Sequence, residues 1–130
     1  MKTIISGILT LTFITLATIM SNAQSTKDAK VLRHVVLFKF KDSSSAADVK
    51  KVEDAFAALP GKLPQIKGYE WGKNNSPEGL SQGLTHCFIL TFASEKDRDD
   101  YLVHPDHKAF GKVLGPHLDK VTVVDFWTEK

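Results

Sequence analysis

A single cysteine, Cys87, stands in the whole 130-residue chain, which excludes an intramolecular disulfide framework in an oxidising compartment. Cys87 therefore reads as a small buried apolar residue rather than a reactive thiol. An excess of charge of one sign is missing too: 17 basic residues face 15 acidic ones, for a formal net charge of +2. Such a balance gives no electrostatic case for nucleic acid or for an anionic membrane surface as a partner. No stretch reads as a phosphate-cradling glycine loop or as a nucleophile elbow. Without disulfides, a domain of this size relies on its own core, and a partner subunit helps to stabilise it.

What the chain does have begins at its amino terminus. Lys2 precedes an uncharged run from Ile4 to Met20, and Ser21-Asn22-Ala23 places small residues where a signal peptidase reads. This is the layout of a secretory signal peptide spanning residues 1–23, cleaved between Ala23 and Gln24. An uncleaved anchor is the alternative, although the run is at the short end for spanning a bilayer. Polar residues from Gln24 to Leu32 read as a flexible tether, which leaves residues 33–130 as the folded domain. The expected product is an exported protein, periplasmic or secreted, with no membrane attachment after cleavage.

From Arg33 to Lys41, His34, Val36, Phe38 and Phe40 alternate with Val35, Leu37, Lys39 and Lys41, the period of a strand with one face wholly buried. Ser45, with Asp48 three residues on, reads as a helix start; Val49, Val52, Phe56 and Leu59 then recur at helical spacing until Pro60-Gly61. Gly68 to Lys73 predicts a strand, Asn74 to Gly83 a loop, and Thr85 to Phe92 a second clear strand with His86, Phe88 and Leu90 on one face. Ser94 to Asp97 repeats the capping pattern before a helix expected to end at Tyr101. Phe110, Val113 and Leu114 form another apolar stripe, and Val121 to Trp127 is the last strand, with Val121, Val123 and Asp125 on one side. This order predicts an α+β fold, a ferredoxin-like βαββαβ sandwich with helices on one face of a four-stranded antiparallel sheet. The opposite face carries Val35, Leu37, Cys87, Ile89, Val124 and Phe126, too apolar to meet water, and so predicts a homodimer packed sheet on sheet.

The richest chemistry lies between Tyr101 and Gly111. Proline disfavours helix at the residue before it, so His104-Pro105 should end one helix and let another begin near Asp106. Across such a break Tyr101 and His107 can converge on one pocket, which positions i and i+6 of a continuous helix do not do. The plainer reading is that both rings fill the joint between two helices.

Arg33 to Lys41, Trp71-Gly72-Lys73, Thr85-His86 followed by an apolar strand ending Thr91-Phe92, and the His-Pro-x-His core of Tyr101 to Gly111 together resemble the stress-responsive dimeric A/B barrel family. The resemblance spans Arg33 to about Trp127 and implies a dimeric α+β barrel. In the residues that carry chemistry it is similar to plant polyketide cyclases of the olivetolic acid type. Those close a linear polyketide by an intramolecular aldol step with a histidine base and a tyrosine. The motif matches place these roles on His107 and Tyr101, and a further pocket histidine on His34.

A neutral imidazole suits removal of a proton beside a carbonyl, since its ordinary pKa is near 6.5. Tyr101 would donate to the developing oxyanion. Asp125, on the helix-facing side of the last strand, needs a partner there and is expected to fix the tautomer of His107. His34, Val36, Phe38 and Val52, with Phe56, Phe88, Phe110 and Val123, are expected to line an apolar pocket for a small hydrophobic molecule. His86 faces inward and His104 caps the joint. No acidic third ligand stands beside His104 and His107, so no metal is expected, and no cofactor is assigned. Haem is weighed because related dimeric barrels include haem-degrading oxygenases. Three readings follow: a small-molecule binding protein, a cyclase- or lyase-like enzyme using His107 and Tyr101, and a structural module whose pocket is filled by its own side chains.

Overall fold

Alternation along β1 (Leu32–Phe40) sets the architecture, because Leu32, His34, Val36, Phe38 and Phe40 are all buried on one face. The computed structural model describes residues 29–129; the expected leader, the start of the tether and the final residue lie outside the described residues. The tether is shorter than its polarity suggested. Leu32 is already in the strand and buried, and Val31 exchanges backbone and side-chain hydrogen bonds with Thr128 at 2.9 and 3.1 Å.

Helix α1 (Ala46–Ala57) begins at the capping box read from the sequence. Ser45 Oγ accepts from the Asp48 N–H, and the Asp48 carboxylate accepts from the Ser45 N–H, both at 3.1 Å, satisfying two donors that a helix start leaves orphaned. The helix turns its Val52 and Phe56 side inward and stops through a single 3-10 turn at Leu59–Gly61. Strands β2 (Gly68–Lys73) and β3 (His86–Phe92) follow, then α2 (Glu95–Val103), α3 (Pro105–Leu114) and β4 (Leu118–Trp127). The four strands lie in the order β2-β3-β1-β4, every neighbour antiparallel. This is the ferredoxin-like arrangement, with its second helix divided in two. Strand β4 begins three residues before the expected Val121, because it continues along β1 past an irregularity at Lys39/Phe40.

The division of the helix is local chemistry. α2 runs two residues beyond Tyr101, and His104 then adopts an extended backbone at φ −66°, ψ 140°, as a residue before proline prefers. Pro105 occupies the first position of α3, where its missing N–H is harmless. His104 Nδ1 accepts the Asp106 N–H at 3.1 Å, so the imidazole caps the second helix. Between helices and sheet, Phe56 lies with its ring centroid 4.4 Å from Phe88 and 4.5 Å from Phe110. On the outer sheet face, Val124 and Phe126 are 53% and 48% exposed.

Candidate functional site

A cavity of about 370 Å³ opens between the sheet and the α2–α3 joint, within the usual range for small-molecule sites. Its apolar wall includes Val36, Phe38, Phe56, Phe110, Leu114 and Val123, and its polar points are His34, Arg98, Asp99, Tyr101, His107 and Asp125. The turn at His104-Pro105 brings Tyr101 and His107 to the same wall, with ring centroids 4.4 Å apart and planes inclined at 53°. Tyr101 is 1% exposed, and its hydroxyl makes no hydrogen bond among the described residues. Burial pushes its pKa upward, so it stays protonated as a donor.

His107 has a fixed tautomer. Its Nδ1 lies 3.1 Å from the Leu102 carbonyl oxygen, which can only accept, so Nδ1 carries the proton and Nε2 keeps a free lone pair. Burial is the largest influence on this ring and lowers its pKa below the ordinary 6.5; the Leu102 bond opposes that shift and nearby His34 adds to it. The result is a neutral imidazole with an available base nitrogen at neutral pH.

Asp125 does not orient His107. Its Oδ1 lies 2.6 Å from His34 Nδ1, and its Oδ2 accepts from Arg98 Nη1 at 2.9 Å. Strand register explains the correction: Asp125 is paired directly with His34 across β1 and β4, whereas Leu102 already occupies the His107 Nδ1 proton. His34 is 5% exposed, its ring stands edge-on to Tyr101 at 5.8 Å, and its Nε2 has no partner among the described residues. Arg98 went unremarked in the sequence, although it stands one helical turn before Tyr101 and so shares its face.

Two expected lining residues are elsewhere. Val52 and Phe88 are wholly buried in the core beneath the cavity floor, where α1 meets β3, and neither lines it. His86 belongs to a separate cluster: its Nε2 is 2.9 Å from Glu53 Oε1 and its Nδ1 is 2.8 Å from Thr85 Oγ1. Glu53 is the acid the sequence reading passed over, though it lies four residues after Val49 on the apolar side of α1. Gly79-Leu80-Ser81-Gln82-Gly83 matches a nucleophile elbow in letters alone, since it lies in the loop between β2 and β3 with no helix after it. Among the described residues no group of three His, Cys, Asp or Glu side chains is placed to hold a metal ion.

A ferredoxin-like sheet whose helix joint sets a tyrosine and a histidine against an apolar cavity is an α+β barrel type of domain. The profile of the Stress responsive A/B Barrel Domain matches residues 32–128, and the chain belongs to that family. It is 37% identical over 95 residues to the Stress-response A/B barrel domain-containing protein HS1 of Arabidopsis thaliana, covering 73% of this chain and 87% of that one. It is 29% identical over 99 residues to Olivetolic acid cyclase of Cannabis sativa, covering 76% and 98%. Among solved structures, a dimeric protein of unknown function and ferredoxin-like fold from Bacteroides fragilis matches with a TM-score of 0.61 and 29% identity, over 74% of this chain and 94% of that one.

Proposed function

We propose that this chain binds a small hydrophobic carbonyl compound in the cavity and performs cyclase- or lyase-like proton transfer beside the carbonyl. The observation that carries this reading is the pairing of a partnerless Tyr101 hydroxyl with a His107 whose tautomer is locked, both on an apolar cavity. His107 Nε2 takes the proton from the carbon next to the carbonyl. The electron pair moves onto the carbonyl oxygen, and the Tyr101 O–H donates a hydrogen bond to that oxygen, stabilising the enolate. The enolate then adds to a second carbonyl, as in a cyclase, and the alkoxide formed there takes the proton back from His107 Nε2, or the proton returns to carbon. Similarity to a protein named Olivetolic acid cyclase supports this chemistry.

The working form in this reading is an exported homodimer in a stress-related role. The exposed Val124 and Phe126 on the outer sheet face and the dimeric solved relative support two copies packed through that face. Export rests on the leader read from residues 1–23; amino-terminal sequencing of the exported protein should begin at Gln24, and a retained Met1 would refute it.

Acetophenone is a suitable probe, being a neutral aryl methyl ketone of a size the cavity admits. Titrated into the protein and followed by NMR, it should give saturable shifts centred on Tyr101, His107 and Phe110. No shift at millimolar acetophenone would overturn the binding reading.

A further inference from the structure

We propose that Arg98 is a positioning residue for specificity: through Asp125 it makes His34 a bare hydrogen-bond acceptor in the cavity, which selects neutral ligands that bring a hydroxyl donor. The inference rests on the binding reading above and adds to it the kind of ligand and the residue that enforces the choice.

Asp125 has two carboxylate oxygens. Arg98 Nη1 donates to Oδ2 at 2.9 Å, and the opposite oxygen, Oδ1, receives His34 Nδ1 at 2.6 Å. A carboxylate only accepts, so the His34 Nδ1 carries a proton, and in the neutral ring Nε2 is left with a lone pair. The guanidinium also answers the charge of Asp125, so the imidazole need not become cationic to do so. Every group facing His34 fits this account: Asp125 from β4, Arg98 and Tyr101 from α2, His107 from α3, and the apolar edge of Phe92.

The cavity therefore presents three points without a partner among the described residues: an acceptor at His34 Nε2, a donor at the Tyr101 hydroxyl and an acceptor at His107 Nε2. Tyr101 stands between the imidazoles, at ring distances of 5.8 and 4.4 Å. A carbonyl satisfies the tyrosine, but only an O–H or N–H on the ligand satisfies His34. An acceptor left dry and unpaired weakens the complex, which is how a site built for a hydroxyl rejects its absence. Among the described residues lining the cavity, an anionic ligand has no free cation to meet. Arg98 is engaged by Asp125 and, through Nε and Nη2, by Asp99 at 3.0 and 2.9 Å, and α2 adds Glu95, Asp97 and Asp100 on neighbouring turns.

The test compares 3-hydroxyacetophenone, 3-methoxyacetophenone and 3-acetylbenzoate by calorimetry at pH 8. The hydroxy ketone should bind at least tenfold tighter than the other two. Long-range ¹⁵N–¹H spectra should place the His34 proton on Nδ1. In Asp125→Asn, Arg98 holds the amide oxygen and turns the amide NH₂ towards His34, so the ring proton should move to Nε2 and the hydroxy-over-methoxy preference should drop below threefold. Adding Arg98→Leu to that variant frees the amide to turn back, and proton and preference should both return. Should the Asp125 variants fail to fold, Arg98→Leu alone serves. It removes the second partner that holds the Asp125 carboxylate against His34 Nδ1, so the hydroxy-over-methoxy preference should shrink, with Arg98→Lys restoring part of it. Equal binding of the hydroxy and methoxy ketones by the unaltered protein, or a His34 tautomer indifferent to both substitutions, overturns this proposal while leaving the cavity a ligand site. If none of the three ketones binds, the binding reading falls and takes this proposal with it.

Discussion

Tyr101 is 1% exposed and lines an apolar cavity, and no described residue meets its hydroxyl, which leaves the O–H free to donate to a ligand. With no protein partner, the hydroxyl contributes no hydrogen bond to the folded state. Tyr101→Phe should therefore leave the urea midpoint unchanged or slightly higher, while slowing proton transfer on a bound ketone about a hundredfold, the usual effect of losing one oxyanion donor. Loss of stability with unchanged turnover would mark the ring as structural. His107 makes a second residue-scale prediction. Burial holds its folded pKa below 6.5, so as pH falls the unfolded chain takes up the proton first. The stability supplied by this neutral ring is whole above about pH 6.5, declines below it, and levels off once the folded ring protonates. Denaturant midpoints from pH 8 to 5 should slope less in His107→Phe than in the parent; identical slopes would contradict the burial argument. Tyr101 and His107 were legible in the sequence because a proline fixes where the helix breaks. The partner of Asp125 was not, because two inward imidazoles were available and only strand register, with Asp125 opposite His34, decides between them.

Elements meet the site through two polar clusters that hold helices in place. His104 caps α3 through the Asp106 N–H, and the same joint carries the Leu102 carbonyl to His107. His104→Ala should lower stability by about 1 kcal/mol, as removal of an N-cap does. It should also broaden the His107 ring resonances as the joint loosens. An unaltered melting temperature would show that Pro105 alone sets the turn. The Glu53–His86 pair fastens α1 to β3, with both side chains buried. Without His86 the buried Glu53 carboxylate keeps only Lys73, 3.6 Å away, so His86→Ala should cost about 1–3 kcal/mol in denaturant unfolding and leave the cavity's ligand shifts in place. Both helix starts were readable from Ser45 with Asp48 and from Ser94 with Asp97, since capping depends only on neighbours in sequence. Glu53 was harder to read. An acid on an apolar helix stripe announces that a partner exists, but the partner is supplied by a strand 33 residues away.

At the scale of the molecule, the two faces of the sheet have different fates. Helices cover one, and the other presents Val124 and Phe126 with Val35, Leu37 and Ile89 half buried beside them, a patch of the kind that marks an interface. Phe126→Asp should give a monomer in analytical ultracentrifugation and make the parent's concentration-dependent melting temperature concentration-independent; a parent that sediments as a monomer at micromolar concentration contradicts the dimer. The βαββαβ order was plain from two strongly alternating strands and two capped helices. Less plain was the extent of the cavity floor: periodicity assigns Val52 and Phe88 to the right face, but depth below the cavity follows only from packing. The central claim, that His107 removes a proton from a bound carbonyl compound, is tested most directly by hydrogen–deuterium exchange at the methyl carbon of acetophenone in D₂O. The protein should accelerate that exchange well above buffer, and His107→Ala should return it to the buffer rate while acetophenone still binds. Exchange no faster than buffer, or equally fast in the variant, would contradict the account.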